Sequence, residues 1–149
     1  MSVQLPPNST GSVVDTQTTV AGKERQAVIR PVSGQFSLTH TPVAATQATI
    51  SAASAGAGNK NVASAISFSI YTGATAQTII VIALRDGASG AGTILWSKSC
   101  ALAASSFWTE NVTLPDLQGT AATAMTLEFS AAGVANSVQS VNLMGYTTA

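Results

Sequence analysis

Few side chains here can do chemistry, and they do not cluster along the chain. There is one histidine, His40, one cysteine, Cys100, and six carboxylates: Asp15, Glu24, Asp86, Glu110, Asp116 and Glu128. A glycosidase needs two carboxylates facing each other across a cleft, one of them held protonated. Glu110 and Glu128, both inside strand-like runs, are the pair to consider, and solvated or salt-bridged strand residues explain them more simply. Calcium needs a cluster of oxygen ligands, and no Asp-rich loop offers one. His40, in His40-Thr41-Pro42, has no second histidine or thiol nearby to begin a zinc site. No strained nucleophile turn supports a Ser–His–acid triad either, so His40 reads as an exposed polar residue or a subunit contact. Cys100 reads as a small buried hydrophobe in the strand around Trp96. Gly87, Gly90 and Gly92 suggest a phosphate loop, but such a loop leads into a helix N-terminus. Here a strand-like run follows, so the expected element is a hairpin turn. The reading is of a non-enzyme with no catalytic residues, no cofactor and no metal.

The composition agrees. Only 8% of the 149 residues are charged, and six basic and six acidic side chains give a formal net charge of +0. About half of the chain is Ala, Ser, Thr or Gly. The basic residues Lys23, Arg25, Arg30, Lys60, Arg85 and Lys98 are scattered, whereas a duplex binder carries a basic stripe, so no nucleic-acid partner is expected. A near-neutral surface provides little repulsion between copies, which suits an assembly subunit. A single cysteine excludes an intrachain disulfide framework. The opening Met1-Ser2-Val3-Gln4-Leu5-Pro6-Pro7 lacks the features of a secretion signal. The longest apolar run, Ile79 to Leu84, is far short of the ~18 residues that a membrane span needs. The expectation is a soluble protein made in a reducing cytoplasm, with no membrane partner.

Residues 1–24 differ from the rest. Pro6-Pro7-Asn8-Ser9-Thr10-Gly11-Ser12 is turn-like, and Val13 to Val20 is extended but poorly patterned. This stretch is expected to be an extended arm that orders against a neighbour, with Leu5, Val13, Val14 and Val20 as its contacts. Residues 25–149 read as one β domain. Strand-like runs cover Gln26–Arg30, Gln35–Leu38, Gln47–Ala52, Val62–Tyr71, Gln77–Arg85, Thr93–Cys100, Phe107–Leu114, Ala124–Ala131 and Ser137–Tyr146. Gly, Pro, Asn and Asp punctuate them, with Pro115 closing the seventh. Only Ala101–Ala104 has room for a turn of helix. Val62, Ile66, Phe68 and Ile70 mark one core face, with Ala63, Ala65, Ser67 and Ser69 opposite. Ile79, Val81 and Ala83 alternate with Ile80, Ile82 and Leu84, so that strand is apolar on both faces and is central or covered by a partner. This spacing predicts an all-β antiparallel sandwich, an eight-stranded jelly roll.

The aromatics Trp96, Trp108, Phe107, Tyr71 and Tyr146 serve either as core and interface anchors or as sugar-stacking platforms. Successive residues alternate faces, so one of Phe107 and Trp108 must point outward. Ile79, Val81 and that outward aromatic, Phe107 or Trp108, are the expected subunit-interface residues.

Three stretches carry a family resemblance. They are Val20-Ala21-Gly22-Lys23-Glu24-Arg25-Gln26-Ala27-Val28 after the Pro/Thr/Val-rich opening, Arg85-Asp86-Gly87-Ala88-Ser89-Gly90-Ala91-Gly92-Thr93-Ile94-Leu95-Trp96-Ser97-Lys98, and Val138-Gln139-Ser140-Val141-Asn142-Leu143-Met144-Gly145-Tyr146. Together they resemble small jelly-roll structural proteins of tailed bacteriophage virions. The resemblance implies a capsid cement or decoration subunit, trimeric, clamping neighbouring major capsid proteins through a terminal arm on the outer capsid surface. It carries no site residues with it. The competing expectation is a tail-associated receptor-binding module that holds a host glycan through surface aromatics or loop 85–92.

Overall fold

The computed structural model describes residues 14–18, 24–28 and 33–149. The chain divides into two compact units, Met1–Val32 and Ser33–Ala149. In the first, β1 (Val14–Thr18) and β2 (Glu24–Val28) form an antiparallel pair with Val14 opposite Val28. The sequence reading placed the boundary at 24/25 and Gln26–Arg30 in the sandwich. The structure instead pairs β2 with β1 in a separate two-stranded sheet, and the division falls after Val32. Glu24-Arg25-Gln26-Ala27-Val28 lacks the period-two apolar face that would fix it against a core. Of the expected arm contacts, Leu5, Val13 and Val20 lie outside the described residues, and Val14 opens β1.

The second unit is a sandwich of β3 (Ser33–His40), β4 (Thr49–Ala52), β5 (Lys60–Tyr71), β6 (Gln77–Asp86), β7 (Thr93–Leu102), β8 (Phe107–Gln118), β9 (Met125–Phe129) and β10 (Val138–Thr148). One sheet runs β3-β10-β5-β8 and the other β4-β9-β6-β7. Antiparallel pairs join β3 to β10, β4 to β9, β5 to β8 and β6 to β7, so the eight strands are one long nested hairpin. Rolling that hairpin up adds β10–β5 and β9–β6. This is the jelly roll expected from the strand spacing.

Every second residue along each strand enters the space between the sheets. Ile66, Phe68 and Ile70 of β5, Val141 and Leu143 of β10, Ile80, Ile82 and Leu84 of β6, and Leu127 and Phe129 of β9 are all buried in one cluster. The Phe68 ring is its hub, edge-on to Trp108 at 4.9 Å and to Phe129 at 6.4 Å between centroids, and tilted against Trp96 at 6.0 Å. As expected of a strand apolar on both faces, β6 lies between β9 and β7.

Three expectations fail, two of them at one bulge. Pro115 does not end its strand, because β8 continues to Gln118. Thr113 lies opposite Ala65 and Leu117 opposite Ala63, so Leu114, Pro115 and Asp116 face the single residue Ser64. β8 is an edge strand, where a residue without an N–H is tolerated, and Asp116 takes a φ of 49° to make the bend. The same irregularity reverses the faces of β5, so Ala63 rather than Val62 joins the core cluster with Ile66. Ala101 and Leu102 belong to β7 instead of a helical turn.

Gly145 sits at the matching shift in β10. A Cβ there would lie 2.0 Å from the Val62 carbonyl oxygen and 2.7 Å from the Phe36 ring. Backbone cannot move aside cheaply, so Gly145→Ala is expected to cost about 3 kcal/mol, the upper end for overpacking. A denaturation midpoint unchanged from wild type would show that β10 does not approach β5 this closely.

Candidate functional site

Most of the ionisable groups of the sandwich that the sequence singles out have structural partners. Glu128 projects from the outer face of the β4-β9-β6-β7 sheet, yet is 1% exposed because the β6–β7 hairpin, residues 87–92, folds over it. Arg85 Nε donates to Glu128 Oε1 at 2.5 Å, the Gly90 N–H to both oxygens at 3.1 and 3.2 Å, and the Ser89 hydroxyl to Oε2. Burial pushes this carboxyl up, but the Ser89 and Gly90 hydrogen bonds and the Arg85 guanidinium outweigh it and hold it below the usual carboxylate range. Glu110 instead faces the sandwich interior from edge strand β8 and receives Lys98 Nζ of the opposite edge strand β7 at 2.7 and 2.8 Å. Lys98 also lies 5.8 Å from the centre of the Trp108 ring. Glu110 and Glu128 therefore serve different faces, each with its own cation, and form no acid–base pair.

Asp86 accepts the Thr120 N–H and hydroxyl, tying the β8–β9 loop down. His40 accepts the Thr49 N–H at Nδ1, 3.2 Å, linking β3 to the start of β4. Cys100 packs against the core cluster, and burial pushes its thiol up, away from the reactive thiolate. Among the described residues no group of three His, Cys, Asp or Glu could hold a metal.

The outer face of the β3-β10-β5-β8 sheet has a different character. Four cross-strand rows occupy it: Ser37–Met144–Ala65–Thr113, Thr39–Asn142–Ser67–Asn111, Ser140–Ser69–Thr109, and Val138–Tyr71–Phe107. The rows between them carry the buried Leu143, Ile66, Val141, Phe68, Gln139 and Ile70, which fixes the direction of the four. No charged residue stands in these rows. At the Met144 end lies a groove of about 430 Å³ lined by Gln35, Phe36, Ser37, Ser64, Met144 and Tyr146. At the other end Tyr71, Phe107 and Val138 are 42%, 63% and 38% exposed. The sequence signal for this face is the Ser, Thr or Asn at alternate positions of β5, β8 and β10. It was visible for Ser67 and Ser69, but only the register joins the strands into one surface.

Of the interface candidates, Ile79 and Phe107 are exposed, Val81 is half-buried on an outer face, and Trp108 is turned inward. Phe107 is the outward member of its pair, and Trp108 packs on Phe68. Ile79 is 73% exposed on the other sheet, with the half-buried Val81 two residues on in the same strand. Phe107 and Ile79 lie at the same end of the sandwich on different sheets, with Val43 in the β3–β4 loop also there, 79% exposed. The loops of that end, residues 41–48, 72–76, 103–106 and 130–137, contain no charge. The chain enters at the opposite end, where Ser33 pairs with Thr147. As to sugar platforms, Trp96 and Trp108 are both turned to the core, leaving Tyr71, Phe107 and Tyr146.

No family model and no curated protein matches this chain. Among solved structures it is similar to a chain of the work titled "Bacillus endospore appendages form a novel family of disulfide-linked pili", at 18% identity over 74% of this chain and 86% of that one, with a TM-score of 0.28.

Proposed function

We propose that this chain is a non-enzymatic structural subunit of a tailed-bacteriophage virion, a capsid cement or decoration protein. It bridges neighbouring major capsid proteins as a homotrimer on the outer capsid surface. The observation that carries this reading is that all eight strands of the jelly roll come from Ser33–Ala149, so the sandwich closes without a strand from residues 1–32, and this reading assigns that segment to the shell. The structural use of Glu128, Glu110, Asp86 and His40 supports a role in packing over one in catalysis. In this reading Leu5, Val13, Val14 and Val20 hold the shell, and several weak arm contacts per trimer combine through effective concentration. Ile79 and Val81 carry the contact between copies, because Trp108 is committed to the core and Phe107 stands on the other sheet.

The test is replacement of Leu5, Val13 and Val14 together by Ser. Binding to undecorated shells, followed by co-sedimentation, is expected to fall below detection while the circular dichroism and melting of the sandwich stay unchanged. Undiminished binding would retire the arm.

A further inference from the structure

We infer that the outer face of the β3-β10-β5-β8 sheet is a binding site for a neutral oligosaccharide, separate from the surfaces that hold the subunit in its assembly. Aromatic side chains stand at both ends, Tyr146 beside the groove at one and Tyr71 with Phe107 at the other. A pyranose presents an apolar C–H face to such rings and a rim of hydroxyls that donate and accept. Between the aromatics lie Ser67, Ser69, Thr109, Asn111, Ser140 and Asn142, hydroxyl and carboxamide groups that answer that rim in both senses. The carboxamide oxygen of Asn142 is buried beneath this face and has no hydrogen-bond partner among the described residues.

From the Met144 row to the Val138 row is about 20 Å at the usual rise per strand residue, the length of a short oligosaccharide. The groove of about 430 Å³ lies within the size range of small-ligand pockets.

The alternatives fit less well. Protein interface cores are depleted in Ser, and here hydroxyls occupy most of the two central rows. An acidic glycan or phosphate would need a cation, and these rows hold none. The glycine at 145 contributes too: it lets the Phe36 ring reach the groove lining beside it. This site does not depend on shell attachment, so the arm variant is expected to bind sugar like the wild type.

The probes are neutral oligosaccharides of hexose, N-acetylhexosamine and deoxyhexose units on an array, with uronate oligomers as the acidic controls, followed by calorimetric titration of full-length protein. Saturable binding to a neutral oligosaccharide is expected, insensitive to salt. Tyr146→Ala and Tyr71→Ala are each expected to weaken it about tenfold or more, with circular dichroism unchanged. Asn111→Ala, an exposed edge-strand change that leaves the core intact, is expected to weaken it by a smaller factor. Absence of binding to every neutral probe, stronger salt-sensitive binding to the uronates, or equal affinity in all three variants would overturn the assignment. So would sedimentation showing that Tyr71→Ala breaks an oligomer, which would make the face a contact between copies.

Discussion

Phe68→Ala is expected to remove about 4 kcal/mol of stability, within the range for deleting a buried phenylalanine. The residue is 2% exposed and sits where both sheets meet, with Trp96, Trp108 and Phe129 around it. These three rings belong to three different strands, β7, β8 and β9, so they cannot collapse together into the space, and two edge-on ring pairs are lost as well. Against the 5–15 kcal/mol that typical domains possess, this leaves the sandwich marginal. Denaturant unfolding is expected to show a lower midpoint at an unchanged slope. Phe107→Ala, on an exposed ring of the same type, is expected to change stability by no more than about 0.5 kcal/mol. Equal effects for the two phenylalanines would mean that the sheets do not face each other as described.

Glu128→Gln is expected to cost about 3 kcal/mol at neutral pH, as when one partner of a buried ion pair is removed. The amide keeps the size but leaves the Arg85 guanidinium without its counter-charge and sets an NH₂ against donors from Ser89 or Gly90. The hairpin at residues 87–92 then loses its anchor on β9. The pH dependence has a fixed sign. Because the folded-state carboxyl titrates below its ordinary range, its stabilisation is present above that range and disappears as pH falls through the folded value. The stability gap between wild type and Glu128→Gln is therefore expected to be widest at neutral pH and to close in acid. A gap constant down to pH values well below the carboxylate range would show that the clamp is not electrostatic. Proteolytic nicking at residues 87–92 provides a local readout and is expected to accelerate in the variant.

Period-two patterning made most of the sandwich legible. Ile66, Phe68 and Ile70, and Ile80, Ile82 and Leu84, mark their inward faces without any structure, and Asp86-Gly87 marks its hairpin. The order of the strands within the two sheets was not legible, because strand spacing does not decide which strands pair. Bulges were not legible. Pro115 looks like a terminator, and only the edge position of β8 and the turn at Asp116 explain why the strand continues. Nor was the fate of the carboxylates readable: Glu110 and Glu128 look alike in sequence, and register alone sends one inward to Lys98 and the other outward under a hairpin. The outward direction of the aromatic pair was half legible. Alternation requires that Phe107 and Trp108 diverge, but the aromatic hub at Phe68 decides which one turns in. Gln26-Ala27-Val28-Ile29-Arg30 has strand propensity, which says nothing about which sheet a strand joins.

The most direct test of the structural role is antibody-gold labelling of intact phage particles from the source with serum raised against this chain. The account predicts label distributed over the head shell, lost when particles are assembled with the Leu5/Val13/Val14→Ser variant. Label confined to the tail tip, or particles without label, would contradict it.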